Sequence, residues 1–170
     1  MRKILKAFFN RPALIVAKEL IGTYLVTRTP EGIKRYMITE TEAYVGPHDL
    51  ASHSSKGRTK RTEVMFQEAG AIYVYLIYGM HNMLNIVTGE KDYPAAVLIQ
   101  GVEGIRGPGN VAKHLNISRL LNGKMLGTAS NLWIEQDSVP VKRKIARTSR
   151  IGIAYAGPVW ANKLYRFVLK

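Results

Sequence analysis

Apolar positions along the chain change period several times, and each change predicts an element. Between Pro12 and Ile21 the residues Leu14, Ile15, Ala17 and Leu20 fall near helical spacing, and Gly22 follows as a stop signal. Thr23 to Arg28 then reads as a strand, Thr29-Pro30-Glu31-Gly32 as a turn, and Ile33 to Tyr44 as a second strand, which together predict an antiparallel hairpin. In the second strand Arg35, Met37, Thr39 and Thr41 alternate with Tyr36, Ile38, Glu40 and Glu42, so Glu42 shares a face with two bulky residues. From Gly46 to Glu63 the chain is polar, with few aliphatic residues and four basic ones, the pattern of an ordered functional loop. Strands resume at Ala71 to Tyr78, Met83 to Val87 and Ala95 to Gln100, the last a near-continuous apolar run. Gly107-Pro108-Gly109-Asn110 introduces a short helix over Val111 to Leu115, and Leu132 to Glu135, Arg150 to Ala154 and Leu164 to Leu169 read as further strands. With no repeat, low-complexity tract or linker, the expectation is one domain over residues 1–170, of the α+β class, built on a mostly antiparallel sheet with flanking helices.

Composition narrows the setting. The 170 residues include 46% hydrophobic and 22% charged positions, which suits a buried core, and no Cys, which excludes disulfides, Cys-ligated metals and thiol nucleophiles. No apolar run reaches the length of about 18 that a membrane-spanning helix needs. Met1 to Lys18 is basic and mildly amphipathic, as an organelle presequence would be, but it lacks the Ser enrichment of one. An intracellular protein is expected, in the cytoplasm or nucleoid of a prokaryote. Lys and Arg number 25 against 12 Asp and Glu, a net charge of +13, and such an excess commonly meets a polyanion. Nucleic acid is the leading partner, against the alternatives of solubility or an acidic membrane surface.

The four His, at 48, 53, 81 and 114, include no HExxH pair, so no metal site is expected. Neither a GxSxG elbow nor a Walker loop occurs. Glu40-Thr41-Glu42-Ala43-Tyr44 instead places two carboxylates two residues apart on one strand face, beside a basic loop. Mutual repulsion would raise the pKa of one of them and suit it as a base; a pair of solvated acids neutralising the loop fits the same spacing. In Tyr73-Val74-Tyr75-Leu76-Ile77-Tyr78-Gly79-Met80, Tyr73 and Tyr75 point to one face and Tyr78 to the other. Aromatic residues beside basic ones stack nucleic-acid bases, and they are also ordinary cross-strand filler.

These residues resemble the alkyladenine (3-methyladenine or methylpurine) DNA glycosylases. The resemblance is close in the run ETEAYVGPHDLASH from Glu40 to His53, continues through Met65-Phe66, and is closest in YVYLIYGMHNMLN from Tyr73 to Asn85. Ala96 to Ile99, Gly107 to Gly109, Arg150 to Ile153 and Arg166-Phe167 then fall in the family's order, so that nearly the whole chain is covered. The resemblance implies a curved sheet carrying a β-hairpin that enters the DNA minor groove. It further implies a monomeric, cofactor-free, monofunctional enzyme that flips a damaged purine out of double-stranded DNA and hydrolyses its N-glycosidic bond, opening base excision repair.

The implied roles follow the matched positions. Glu42 is the general base, deprotonating a water that attacks C1′ of the sugar. Tyr44, His53 and Tyr75 wall the base pocket, where an electron-poor alkylated purine gains from aromatic faces, and neutral deaminated purines are admitted as well. Asn85 clashes with the 2-amino group of guanine, and Tyr78 is the wedge that fills the gap left in the base stack. Arg58, Lys60, Arg61, Lys142, Arg143, Lys144, Arg147, Arg150 and the N–H of Gly109 are candidate phosphate contacts. A merely solvated face is the alternative for each basic side chain.

Two departures stand out. Gln100 occupies the position of an arginine that helps to hold the nucleophilic water, leaving a backbone carbonyl near Ile151 as the water's other partner. Only Gly101 to Arg106 then separates Gln100 from Gly107, where family members carry a longer basic segment. A damage-binding module with weak catalysis is therefore the rival expectation, and a general nucleic-acid-binding domain would release no base at all.

Overall fold

Proline before the first turn and glycine just beyond the last delimit the early helix. In the computed structural model, which describes residues 1–139 and 141–170, a short strand β1 (Arg2–Lys3) and helix α1 (Lys6–Phe9) lead into α2 (Ala13–Leu20). Pro12 is the N-cap of α2, and Gly22 takes a left-handed φ of 83° that releases the chain into the sheet. The helix buries Ala13, Val16, Ala17 and Leu20, spaced as one helical face, whereas Ile15 of the predicted apolar set is exposed.

The predicted hairpin forms β2 (Tyr24–Thr29) and β3 (Gly32–Tyr44), paired antiparallel from Tyr24↔Met37 to Thr29↔Gly32. There follow β4 (Ile72–Ile77), β5 (His81–Thr88), β6 (Ala95–Val102), β7 (Ile105–Arg106) and helix α3 (Pro108–His114). The chain ends with β8 (Leu132–Gln136), β9 (Ile145–Thr148), helix α4 (Gly157–Ala161) and β10 (Arg166–Leu169). The strand order is β1-β8-β2-β3-β6-β5-β4, with β7 on β6 and β10 joining β3 to β9, and the pairings are antiparallel. This is an α+β fold on an open, mostly antiparallel sheet.

β3 runs for 13 residues and changes neighbours halfway. Its first half pairs with β2; its second half lies between β6, from Ile38↔Val102 to Tyr44↔Ala96, and β10, where Arg166 faces Glu42. Leu20, Leu25, Ile38, Ile72, Leu84 and Ile99 form the core between the sheet and α2 and α3. Each such fully buried side chain contributes roughly 1.5–3 kcal/mol. The Thr41 hydroxyl donates to the Ala17 carbonyl at 2.8 Å, locking α2 beside the stretch of β3 that carries Glu42.

One predicted strand is corrected: Arg150 to Ala154 is not extended. Gly152 takes φ 71°, which a strand excludes, and a 3₁₀ turn over Ala154–Ala156 follows. The sequence pattern also passed over β1, β7 and β9, which are short and mostly polar or half-buried. Among the described residues no helix is long and apolar enough to cross a membrane.

Candidate active site

Glu42 lies where β3 is flanked on both edges, with Leu98 opposite on β6 and Arg166 on β10, and it is 1% exposed. A carboxylate this dry requires donors. It has three: the Ile151 N–H (2.8 Å) and Gln100 Nε2 (3.2 Å) donate to Oε1, and the Tyr44 hydroxyl (2.9 Å) donates to Oε2. Burial pushes the Glu42 pKa above its ordinary value, against the Ile151 N–H, the Tyr44 hydroxyl and the charges of Arg150 and Arg166, which pull it down. Repulsion from Glu40, the cause expected of this pair, is not what raises it: burial does, and Glu40 is bound to Arg166 Nε at 2.5 Å. Both acids are buried, so the solvated pair is excluded.

The register of β6 explains how Gln100 reaches the site. Glu40 pairs with Gly101 and Thr41 with Ile99, leaving Gln100 as an extra residue at the irregularity. A bulge of this kind re-aims a side chain. Gln100 Oε1 is buried without a partner among the described residues. Ile151 meets Glu42 through its N–H, the chain having turned at the segment that was expected to be a strand.

An aromatic cage adjoins the carboxylate. The His53 and Tyr75 rings meet edge to face at 4.5 Å, Tyr73 and Tyr75 lie 5.3 Å apart, and His53 Nδ1 is 3.2 Å from the Tyr73 hydroxyl. Asn85 Nδ2 donates to the carbonyls of Tyr73 and Met83, at 3.3 and 3.2 Å. An inner cavity of about 30 Å³ behind these groups holds little more than a water. It adjoins a cleft of about 610 Å³ lined by Glu42, Tyr44, Tyr75, Tyr78, Gln100 and Ile151, among others, which is large enough for a nucleotide. Burial, then the charges of Arg61 and Lys56, lower the His53 pKa to about 4, so the ring is neutral near pH 7. Burial raises Tyr44 and Tyr75, and raises Tyr73 to about 12, keeping all three phenols protonated.

At the rim, β4 and β5 are joined by a tight turn in which the Met80 N–H donates to the Ile77 carbonyl at 3.1 Å. Tyr78 and Gly79 occupy it with φ of 51° and 70°. A tyrosine with positive φ is strained, and Tyr78 is also 89% exposed, so its ring stabilises nothing in the free protein.

The basic candidates have unlike fates. Lys60, Lys142 and Lys144 are exposed; Arg58 is bound to Glu63 and Asp92; Arg61 sits 5.6 Å from the Tyr75 ring centre and lines the cleft. Arg143 packs over Gly22, where a Cβ would lie 2.0 Å from its Nε, and pairs with Asp137. Arg147 lies over Phe167, and Gly109, at the start of α3, packs so tightly on His81 that a Cβ would come within 3.2 Å. Arg150 is a correction: its side chain is 0% exposed in a bidentate pair with Asp49, so it cannot be a surface phosphate contact. Among the described residues no group of three or more His, Asp or Glu is placed to hold a metal ion.

Two residues of the site escaped sequence reasoning. Asp49 is fully buried against Arg150, and its one sequence signal is an acid within a loop otherwise rich in basic residues. Tyr155 lines both the inner cavity and the cleft and donates from its hydroxyl to the Ala51 carbonyl at 2.9 Å. No pattern in the sequence distinguishes it.

A family model described as "Methylpurine-DNA glycosylase (MPG)" matches residues 7–170. A protein of Legionella pneumophila (strain Paris), named "Putative 3-methyladenine DNA glycosylase", is 45% identical, covering 100% of this chain and 96% of the relative. Proteins of the same name from Myxococcus xanthus and Methanocella arvoryzae are 44% and 42% identical, over 95% and 88% of this chain and 87% and 84% of the relatives.

Proposed function

The chain belongs to the methylpurine-DNA glycosylase family, and on that premise we propose that it is a monofunctional 3-methyladenine DNA glycosylase acting on a purine nucleotide flipped out of double-stranded DNA. The observation that carries this reading is the dry, three-donor carboxylate of Glu42 on the wall of a nucleotide-sized cleft beside an aromatic cage. The alkylated base stacks between Tyr44, His53 and Tyr75, gaining a cation–π term when it is positively charged. Its C1′ then faces Glu42. Water attacks C1′, its proton passes to the Glu42 carboxylate, and the N-glycosidic bond breaks with its electron pair leaving on the base. The negative charge of Glu42 also stabilises the oxocarbenium character that develops on the sugar.

Tyr78 fills the vacated place in the stack from the turn between β4 and β5, which enters the minor groove. Gln100, with its unpartnered buried Oε1, supplies an acceptor for the attacking water. Asn85, fixed by two backbone carbonyls, rejects guanine through its 2-amino group. Arg61 and Lys60, with Lys142 and Lys144, contact phosphates. Neutral deaminated purines enter the same neutral cage, since His53 brings no charge against or for them.

Incubation with duplexes carrying 3-methyladenine, 7-methylguanine, hypoxanthine or ethenoadenine, followed by alkali, is expected to reveal abasic sites with at least one alkylated lesion. Retention of those duplexes without base release would favour the damage-binding alternative, for which the replacement of the family arginine by Gln100 is the supporting observation.

A further inference from the structure

We propose that Arg150, held by Asp49, is a positioning residue that fixes Glu42 and keeps its carboxylate in the charged form; the inference rests on the glycosylase reading above. Three of the segments that build the site are the end of β3, the loop from Gly46 to His53, and the turn from Arg150 to Tyr155. The ion pair ties all three together. Arg150 Nη1 and Nη2 bond Asp49 Oδ2 and Oδ1 at 2.5 and 2.9 Å, and Nη1 also donates to the Ala43 carbonyl at 2.9 Å. Asp49 in turn accepts from the N–H groups of Val45 and Ala51, at 3.2 and 3.1 Å. The guanidinium lies 4.8 Å from the centre of the Tyr44 ring, whose hydroxyl donates to Glu42, and the next residue along the chain, Ile151, gives Glu42 its backbone donor. Two of the three donors on Glu42 are therefore placed by Arg150.

The same pair sets the charge that Glu42 experiences. The titratable groups that act on Glu42 are Tyr44 from β3, Tyr75 from β4, Arg166 from β10, and Arg150 and Tyr155 from the turn, with His53, Arg61 and His81 lining the same cleft, while β6 contributes the neutral amide of Gln100. Arg166 is engaged by Glu40 and Arg150 by Asp49, so neither arginine forms an ion pair with Glu42. A direct pair would hold the carboxylate charged but make it a weak base. Held by Asp49, Arg150 favours the charged form of Glu42 without pairing with it.

The test measures single-turnover excision of an alkylated purine between about pH 5 and about pH 9, since a general base leaves its pKa in the acid limb of such a profile. It is joined by a carbon-13 titration of the Glu42 carboxyl in the free protein, which needs no activity. Arg150→Met removes the cation and is expected to move the Glu42 titration and the acid limb to higher pH. Asp49→Asn leaves the cation untempered and moves both to lower pH. Arg150→Lys keeps the charge but loses the two-pronged fit, so the limb stays and the rate plateau falls by roughly 10- to 100-fold. The double variant Asp49→Asn/Arg150→Met, which strands no buried charge, repeats the upward shift if the single variant does not fold. Opposite displacements support the proposal. Unmoved titrations with lowered melting temperatures overturn it and leave the pair a structural pin, as does failure of both Met variants to fold. Absence of excision by the unsubstituted protein on every lesion strikes the proposed function instead, while the carboxyl titration still decides the role of Arg150.

Discussion

Glu42→Gln separates chemistry from packing because the amide can satisfy every partner of the carboxylate. With its oxygen at the Oε1 position it accepts from the Ile151 N–H and from Gln100, and its NH₂ then faces the Tyr44 hydroxyl, which can rotate to accept. What is lost is the ability to take a proton. General-base loss slows single-turnover excision by about 10²–10⁴-fold, or about 2.7–5.4 kcal/mol of barrier, while binding to a lesion duplex survives. Stability moves the other way. The folded-state pKa of Glu42 lies above its unfolded value of 4.5, so the stability conferred by the protonated group is fully present below that value and is lost as pH rises through the folded pKa. Glutamine is neutral at every pH and retains it. The variant should therefore match the unsubstituted protein in melting temperature near pH 4 and exceed it near pH 8. Each unit of pKa elevation is worth about 1.4 kcal/mol, which in a chain of this size raises the melting temperature by roughly 3–6 °C. Excision at the normal rate would move the base elsewhere, with Glu40 next in line despite its arginine. A variant that melts lower at pH 8 would show that the carboxylate anchors the fold, and the loss of rate would then say nothing about proton transfer.

Tyr78→Ser should leave the melting temperature unchanged, because the ring is exposed, and should slow excision more from paired than from mismatched or unpaired sites, where the base leaves the stack more readily; equal losses on both substrates would remove the wedge role. Gln100→Arg should slow single-turnover excision, because Gln100 Nε2 lies 3.2 Å from Glu42 and a guanidinium there would pair with the carboxylate directly, weaken it as a base and remove the buried Oε1 acceptor. A faster enzyme at unchanged melting temperature would overturn that argument and show that a charged donor holds the attacking water better than the amide does.

The sheet was legible where hydrophobic alternation was long. β2, β3, β4 and β6 fall within a few residues of their expected places because apolar alternation or an unbroken apolar run defines them. Pattern failed where local conformation obeys something other than burial of alternate side chains. Arg150 to Ala154 has the composition of a strand, yet Gly152 turns it so that the Ile151 N–H can reach a carboxylate 109 positions earlier. Ile15 sits in the apolar run of α2 but points away from the sheet, since the buried stripe is set by the side that meets β3, and a run with apolar residues on several faces does not reveal that side.

The site divides along the same line. Glu42 and Tyr44 are two apart on one strand, so their contact is implicit in the alternation. The partners that make Glu42 usable are far away in sequence: Gln100 at a separation of 58, Ile151 at 109, and Asp49 with Arg150 at 101 from each other. A charge count cannot rank them. It treats Arg150, Arg58 and Lys142 alike, although one is sealed in the interior, one is held by two surface acids and one is exposed. The distinction matters because the chemistry makes two opposed demands on one carboxylate. It must be dry to be basic and charged to act as a base, and a partner that met the second demand with a full ion pair would defeat the first. A backbone N–H, a neutral amide and a phenol meet both, holding the charge without cancelling it. The two nearby arginines can then be tolerated only because Asp49 and Glu40 occupy them, and in a chain of net charge +13 three of the four buried acids, Glu40, Glu42 and Asp49, accordingly lie at the reacting group, the fourth being Glu135.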